Sequence, residues 1–94
     1  MNNEKESIEA AVNSIERPEF VLGFEVTLMN DWSGDPAASI RLKLSDRFLG
    51  KEAPWAALRS YEQLIFTAIQ NTGTGRWPYT SVITESEMQE LVAA

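Results

Sequence analysis

Asp31 and Asp35 are two carboxylates in one short loop, within the stretch MNDWSGDPAAS (29–39), and Trp32 lies between them. Two neighbouring acids can serve as oxygen ligands for a hard cation, or as an acid–base pair. An EF-hand needs oxygens at alternate positions and a closing Glu twelve residues along. DWSGDPAASIRL has neither. Asp side chains bond nearby backbone amides, glycine accepts positive φ, and Asp-Pro favours turn initiation. The pair therefore reads as turn chemistry, with no metal and no cofactor expected.

The chain has no histidine and no cysteine. That excludes Ser-His-Asp and Cys-His triads, imidazole acid–base work, ordinary zinc sites and disulfides. No catalytic constellation remains except the carboxylates. The glycines of NTGTGRWP (71–78) invite comparison with a phosphate loop. Such loops follow a strand and open a helix. Here the order is reversed, so a helix stop at Gly73 and a turn at Gly75 explain them.

The aromatic residues are a second candidate chemistry. Arg76, Trp77 and Tyr79 fall close together, and with Trp32 they could stack the bases of a single-stranded nucleic acid. Trp77 and Tyr79 share one face of a predicted strand, as core or edge cover. Trp55, at the start of a predicted helix, is expected to pack against the sheet. Trp32 sits at a turn tip, where a tryptophan either anchors a partner or folds back over the hairpin. The sequence leaves both open.

The elements that must hold these residues follow from periodicity. Ile8, Ala11, Val12 and Ile15 make one apolar stripe on a helix over 4–17, ended by Pro18 and without a strong cap; residues 1–5 are expected to be loose. Phe20, Leu22, Phe24, Val26 and Leu28 alternate with polar positions, as do Ile40, Leu42 and Leu44. Folding back near Ser33–Gly34 sets Glu25 opposite Arg41 or Lys43. Phe48 and Leu49 are expected to tuck under the connection 46–53. Pro54 suits the first turn of a helix whose apolar face is Leu58, Tyr61, Leu64, Ile65, Ala68 and Ile69. RWPYTSVIT (76–84) reads as a third strand, with Pro78 at an edge or at the strand start. Thr84 and Glu87 resemble a capping box opening a last helix through Met88, Leu91 and Val92.

The expected architecture is a single small α+β domain over 1–94, in the order αββαβα. Its three-stranded mixed sheet is a β-hairpin plus a third strand, with helices packed mainly on one face. A right-handed crossover makes strand 3 parallel to strand 2. The first strand is expected to lie between them.

Composition bounds the function. The 94 residues carry 14 acids against 8 bases, a net charge of −6, with 44% apolar residues. The acidity belongs to the ends: residues 1–19 hold Glu4, Glu6, Glu9, Glu16 and Glu19 against Lys5 and Arg17, and residues 81–94 hold Glu85, Glu87 and Glu90 with no base. Nucleic-acid surfaces need clustered Lys and Arg, so that partner is disfavoured unless Arg41, Lys43, Arg47 and Arg76 gather on one face. No apolar run is long enough to span a membrane, and MNNEKESIE does not read as a signal peptide. The expectation is a cytoplasmic, non-enzymatic domain that docks another protein, basic by charge complementarity, in an adaptor, inhibitor, antitoxin or immunity-type role. Asp31, Trp32, Asp35, Arg76 and Trp77 are its candidate contact residues. A homodimer through an edge strand or aromatic patch is also expected to be accessible. The alternatives are a carboxylate-dependent metal-binding protein or small enzyme using Asp31 and Asp35, and a single-strand binder using Trp32, Arg76, Trp77 and Tyr79.

Overall fold

The computed structural model describes residues 3–46 and 54–93. The expectation for Phe48 and Leu49 lies outside the described residues, as does Arg47. The order is α1 (Glu4–Asn13), β1 (Val21–Asn30), β2 (Pro36–Leu44), α2 (Trp55–Gln70), β3 (Trp77–Thr84) and α3 (Glu85–Ala93). This is the expected αββαβα order around a three-stranded mixed sheet.

The start of α1, expected to lack a cap, has one: Asn3 is the N-cap, and its side chain accepts from the Glu6 N–H at 3.1 Å. The helix ends at Asn13 rather than Arg17. Ser14 diverts the chain there, its hydroxyl donating to the Ala11 carbonyl at 2.6 Å while the Ile15 N–H turns to Val12 O. Such local bonding by Ser competes with the helical ladder. Ile8 and Val12 are buried, as their spacing requires.

β1 and β2 are antiparallel, and Glu25 faces Arg41, Phe24 faces Leu42 and Val26 faces Ile40. The register breaks between Val21 and Gly23. Val21 is buried there and Leu22 is 43% exposed, which corrects the inward placement of Leu22. A bulge puts two residues opposite one, so the alternation skips a step.

β2 lies at the centre of the sheet, in the order β1-β2-β3, so the expected position of the first strand between the others is also corrected. β3 pairs directly and in parallel with β2, from Ala37 opposite Trp77 to Leu44 opposite Thr84. Strands linked by a crossover prefer to be neighbours. β2 is also the strand best suited to burial, with Ala37, Ala38, Ile40, Leu42 and Leu44 all inside. β1 exposes Leu22 and Met29, and fits an edge.

α1 and α2 cover one face. Ile8, Val12, Val26, Ile40, Leu42, Ile65 and Ile69 are the largest fully buried side chains. Each such burial stabilises by roughly 1.5–3 kcal/mol. Leu58, Tyr61, Ile65 and Ile69 form the inward stripe of α2, while Leu64 is exposed. Trp55, expected in the core, is 51% exposed. At the first residue of α2 it lies a full turn before Leu58, the first buried residue of that stripe. Gly73 adopts φ +75 just past the helix end, a conformation glycine accepts without strain. β3 runs straight into α3 through a capping box: Thr84 N–H donates to Glu87 Oε1 at 3.0 Å, and Glu87 N–H donates to Thr84 Oγ1 at 3.2 Å. Among the described residues no helix is long and apolar enough to cross a membrane.

Candidate functional site

The hairpin turn is built by one carboxylate. Asp31 Oδ1 accepts from the Ser33 N–H at 2.9 Å, the Ser33 hydroxyl at 2.6 Å and the Asp35 N–H at 3.0 Å. The backbone closes the same loop, with Asp31 N–H donating to Asp35 O at 2.8 Å and Gly34 N–H to Asp31 O at 2.9 Å. Gly34 supplies the positive φ of +88 that the turn needs. Asp35 Oδ2 lies 3.1 Å from the Ser33 hydroxyl. The turn chemistry expected of DWSGDP is therefore present in detail.

Trp32 is carried on this turn and is 96% exposed. Of the two arrangements left open by the sequence, it takes the exposed one. Its neighbours on both sides are fixed by hydrogen bonds, so the ring projects from an ordered loop.

Beside the turn, β3 brings up Trp77 and Tyr79. The Tyr79 hydroxyl donates to Asp31 Oδ2 at 3.4 Å. Trp77 meets Phe66 of α2 edge-to-face, with ring centroids 5.1 Å apart and planes at 81°. At 51% and 40% exposure, Trp77 and Tyr79 are edge cover rather than core. Asp31, Asp35, Gln70, Arg76, Trp77 and Tyr79 line one open cleft of about 560 Å³. The structure thus gathers four of the five sequence candidates in a single depression. Trp32 is not among its lining residues and stands outside it at the turn tip.

Arg76 has a different part. Its Nε lies 3.0 Å from Glu4 Oε2, and its Nη1 donates to Met29 O at 3.1 Å and Ala37 O at 3.0 Å. The guanidinium ties α1, β1 and β2 to the start of β3, and its charge is engaged by Glu4 and the two carbonyls at the side of the cleft that Arg76 lines. Gln70 was not foreseen, because nothing in its own sequence neighbourhood distinguishes it.

The electrostatics follow the hydrogen bonds. The Asp31 carboxyl is held below the usual carboxylate range, chiefly by the Ser33 hydroxyl and further by the Asp35 and Ser33 amides and Tyr79, against some desolvation. The Tyr79 phenol is pushed up by desolvation, then by the Asp31 charge and hydrogen bond and the Asp35 charge.

Among the described residues no three acids converge to hold a metal ion. The described cations do not gather either. Arg41 and Lys43 line a separate cleft of about 130 Å³ with Glu25, Ile83 and Met88, whereas Arg76 belongs to the cleft beside the turn. No family model, no curated protein and no solved structure matches this chain, so its site is read from its own geometry.

Proposed function

We propose that this domain docks another protein, with Trp32 as the inserted anchor and the adjoining cleft as the seat for a basic side chain of the partner. The observation that carries the reading is a tryptophan 96% exposed on a turn whose backbone is held by the Asp31 carboxylate. A large ring left in water on an ordered loop is ready for burial in a partner's pocket. Little side-chain entropy is lost when it goes in.

The partner's chemistry follows from charge. Asp31 and Asp35 flank the ring, Trp77 and Tyr79 offer π faces beside them, and the chain carries a net −6. An apolar pocket ringed by Lys or Arg is complementary to this surface, and the acidic ends speed the encounter. Such a module acts by occupying a surface, in the manner of an inhibitor, an antitoxin, an immunity protein or an adaptor. The carboxylate-enzyme alternative has less support, because Asp31 Oδ1 already accepts three hydrogen bonds within its own turn.

The test is affinity capture from the native cell, followed by titration of the purified partner. Trp32→Ala is expected to weaken binding by about 2 kcal/mol or more, roughly thirtyfold, as for an interface hot spot. Its melting temperature stays within a few degrees of wild type. Unchanged affinity in the variant defeats the proposal.

A further inference from the structure

The outer edge of β1 is open: β1 pairs with β2 on one side, and no described residue pairs with the other. Edge strands left this way present a row of N–H and C=O groups to any incoming strand, and are ordinarily guarded by Pro, Lys, bulges or short length. β1 is ten residues long and reads VLGFEVTLMN, with no Pro, no Lys and Glu25 as its one charge. The bulge at Leu22 guards one end and leaves Gly23 to Asn30 free of such devices. The opposite edge, β3, is treated differently. It carries Pro78 near its start, and its Thr80 hydroxyl is bonded to Glu62 of α2.

We propose that a second copy of the chain adds to this edge, β1 against β1, antiparallel about a twofold axis at Val26, giving a continuous six-stranded sheet. The sequence of the strand favours itself as occupant. With the axis at Val26, that residue meets its own copy, Phe24 meets Leu28, and Glu25 meets neutral Thr27. An axis at Glu25 would set two like charges opposite each other. An axis at Thr27 would set Phe24 against Asn30. Phe24 and Leu28 are only partly buried at the rim of the core, and the added strand covers their open flank.

The twofold stands perpendicular to the sheet, so both acidic α1 helices come to the same face. Their repulsion is screened by salt, and the association tightens as ionic strength rises. The two Trp32 tips end at opposite ends of the joined strands, about 40 Å apart at 3.3 Å per residue. Resting on the docking reading above, the dimer then presents two anchors and binds paired or repeated partner sites by avidity.

Thr27 and Glu25 are both exposed, so charge can be changed there without touching the core. Sedimentation equilibrium from micromolar to millimolar protein is expected to find a monomer–dimer equilibrium. Thr27→Glu, which sets like charges across the axis twice, weakens it roughly fivefold or more. Thr27→Lys tightens it by a similar factor, and Trp32→Ala leaves it unchanged. Circular dichroism confirms that each variant is folded. A monomer throughout, a dimer that responds to both Thr27 variants in the same sense or to neither, or a dimer lost with Trp32 overturns the proposal.

Discussion

Arg76 and Glu4 are 72 residues apart in the chain, and their side chains meet at 3.0 Å. This contact joins the first turn of the first helix to the residue before the last strand. The same guanidinium also satisfies the carbonyls of Met29 and Ala37. Its Arg side chain is 17% exposed and the Glu side chain 35%. The two partners therefore differ in what their loss removes.

Arg76→Met is expected to destabilise the fold by about 2–3 kcal/mol, because it removes charge-assisted bonds to a carboxylate and two carbonyls at once. Glu4→Gln removes one partly exposed ion pair and costs less than about 1 kcal/mol. Urea unfolding of the two variants checks this. Equal losses would mean that the two carbonyl bonds contribute nothing.

The bulge in β1 makes neighbouring apolar residues unequal. Val21→Ser places a hydroxyl in the core and is expected to cost roughly 2 kcal/mol or more. Leu22→Ser changes an outward side chain and is expected to stay within about 0.5–1 kcal/mol of wild type. The reverse ranking in denaturation midpoints would remove the bulge and restore a regular alternation through Leu22.

The turn has a pH signature. Asp31 titrates below its unfolded value of about 3.9, so its contribution is fully present above that pH and is lost as pH falls through the folded value. The stability difference between wild type and Asp31→Asn is expected to be constant from neutral pH down to the unfolded value and to shrink below it. Tyr79 titrates above its unfolded value of about 10, so its contribution is present below that pH and is lost as pH rises through the folded value. In Asp31→Asn the Tyr79 phenol loses a neighbouring charge and ionises at lower pH, which a tyrosinate absorbance titration detects. Tyr61, raised by burial and opposed by the Arg17 charge, has no Asp31 charge among its causes and is the internal reference.

Calcium or magnesium at millimolar levels is expected to leave the melting temperature unchanged, since Asp31 and Asp35 are engaged with Ser33 and the turn amides. Binding to the native state would raise it by mass action. A rise abolished by both Asp31→Asn and Asp35→Asn would bring the metal alternative forward.

Local patterns carried much of this fold. Alternation in both strands was enough to set Glu25 opposite Arg41 or Lys43, of which the register takes Arg41, and the three-residue spacing of Thr84 and Glu87 was enough to place the last helix start. The bulge was not legible, because Val21 and Leu22 are both apolar and a period-two pattern cannot choose between them. Strand order was not legible for a related reason: each strand's pattern names its buried face and leaves its neighbours unstated. Trp55 was misplaced because aromatic character suggests burial even at the first residue of a helix, a full turn before its buried stripe begins. For the site, the turn was readable from DWSGDP alone. The cleft was not, since Asp31, Gln70 and Tyr79 come from a hairpin, a helix end and a strand that only tertiary structure brings together.

All three tryptophans stand at the surface, Trp32 at 96% and Trp55 and Trp77 each at 51% exposure. The buried side chains include a tyrosine but no indole. The native protein should therefore emit at long wavelength, as water-exposed indole does, and unfolding should shift that emission little. Trp32 makes the same property useful in another way. When its ring passes from water into an apolar pocket, the emission moves to the blue against a background that folding barely alters. Intrinsic fluorescence is thus a poor thermometer for this fold and a sensitive reporter of its encounters.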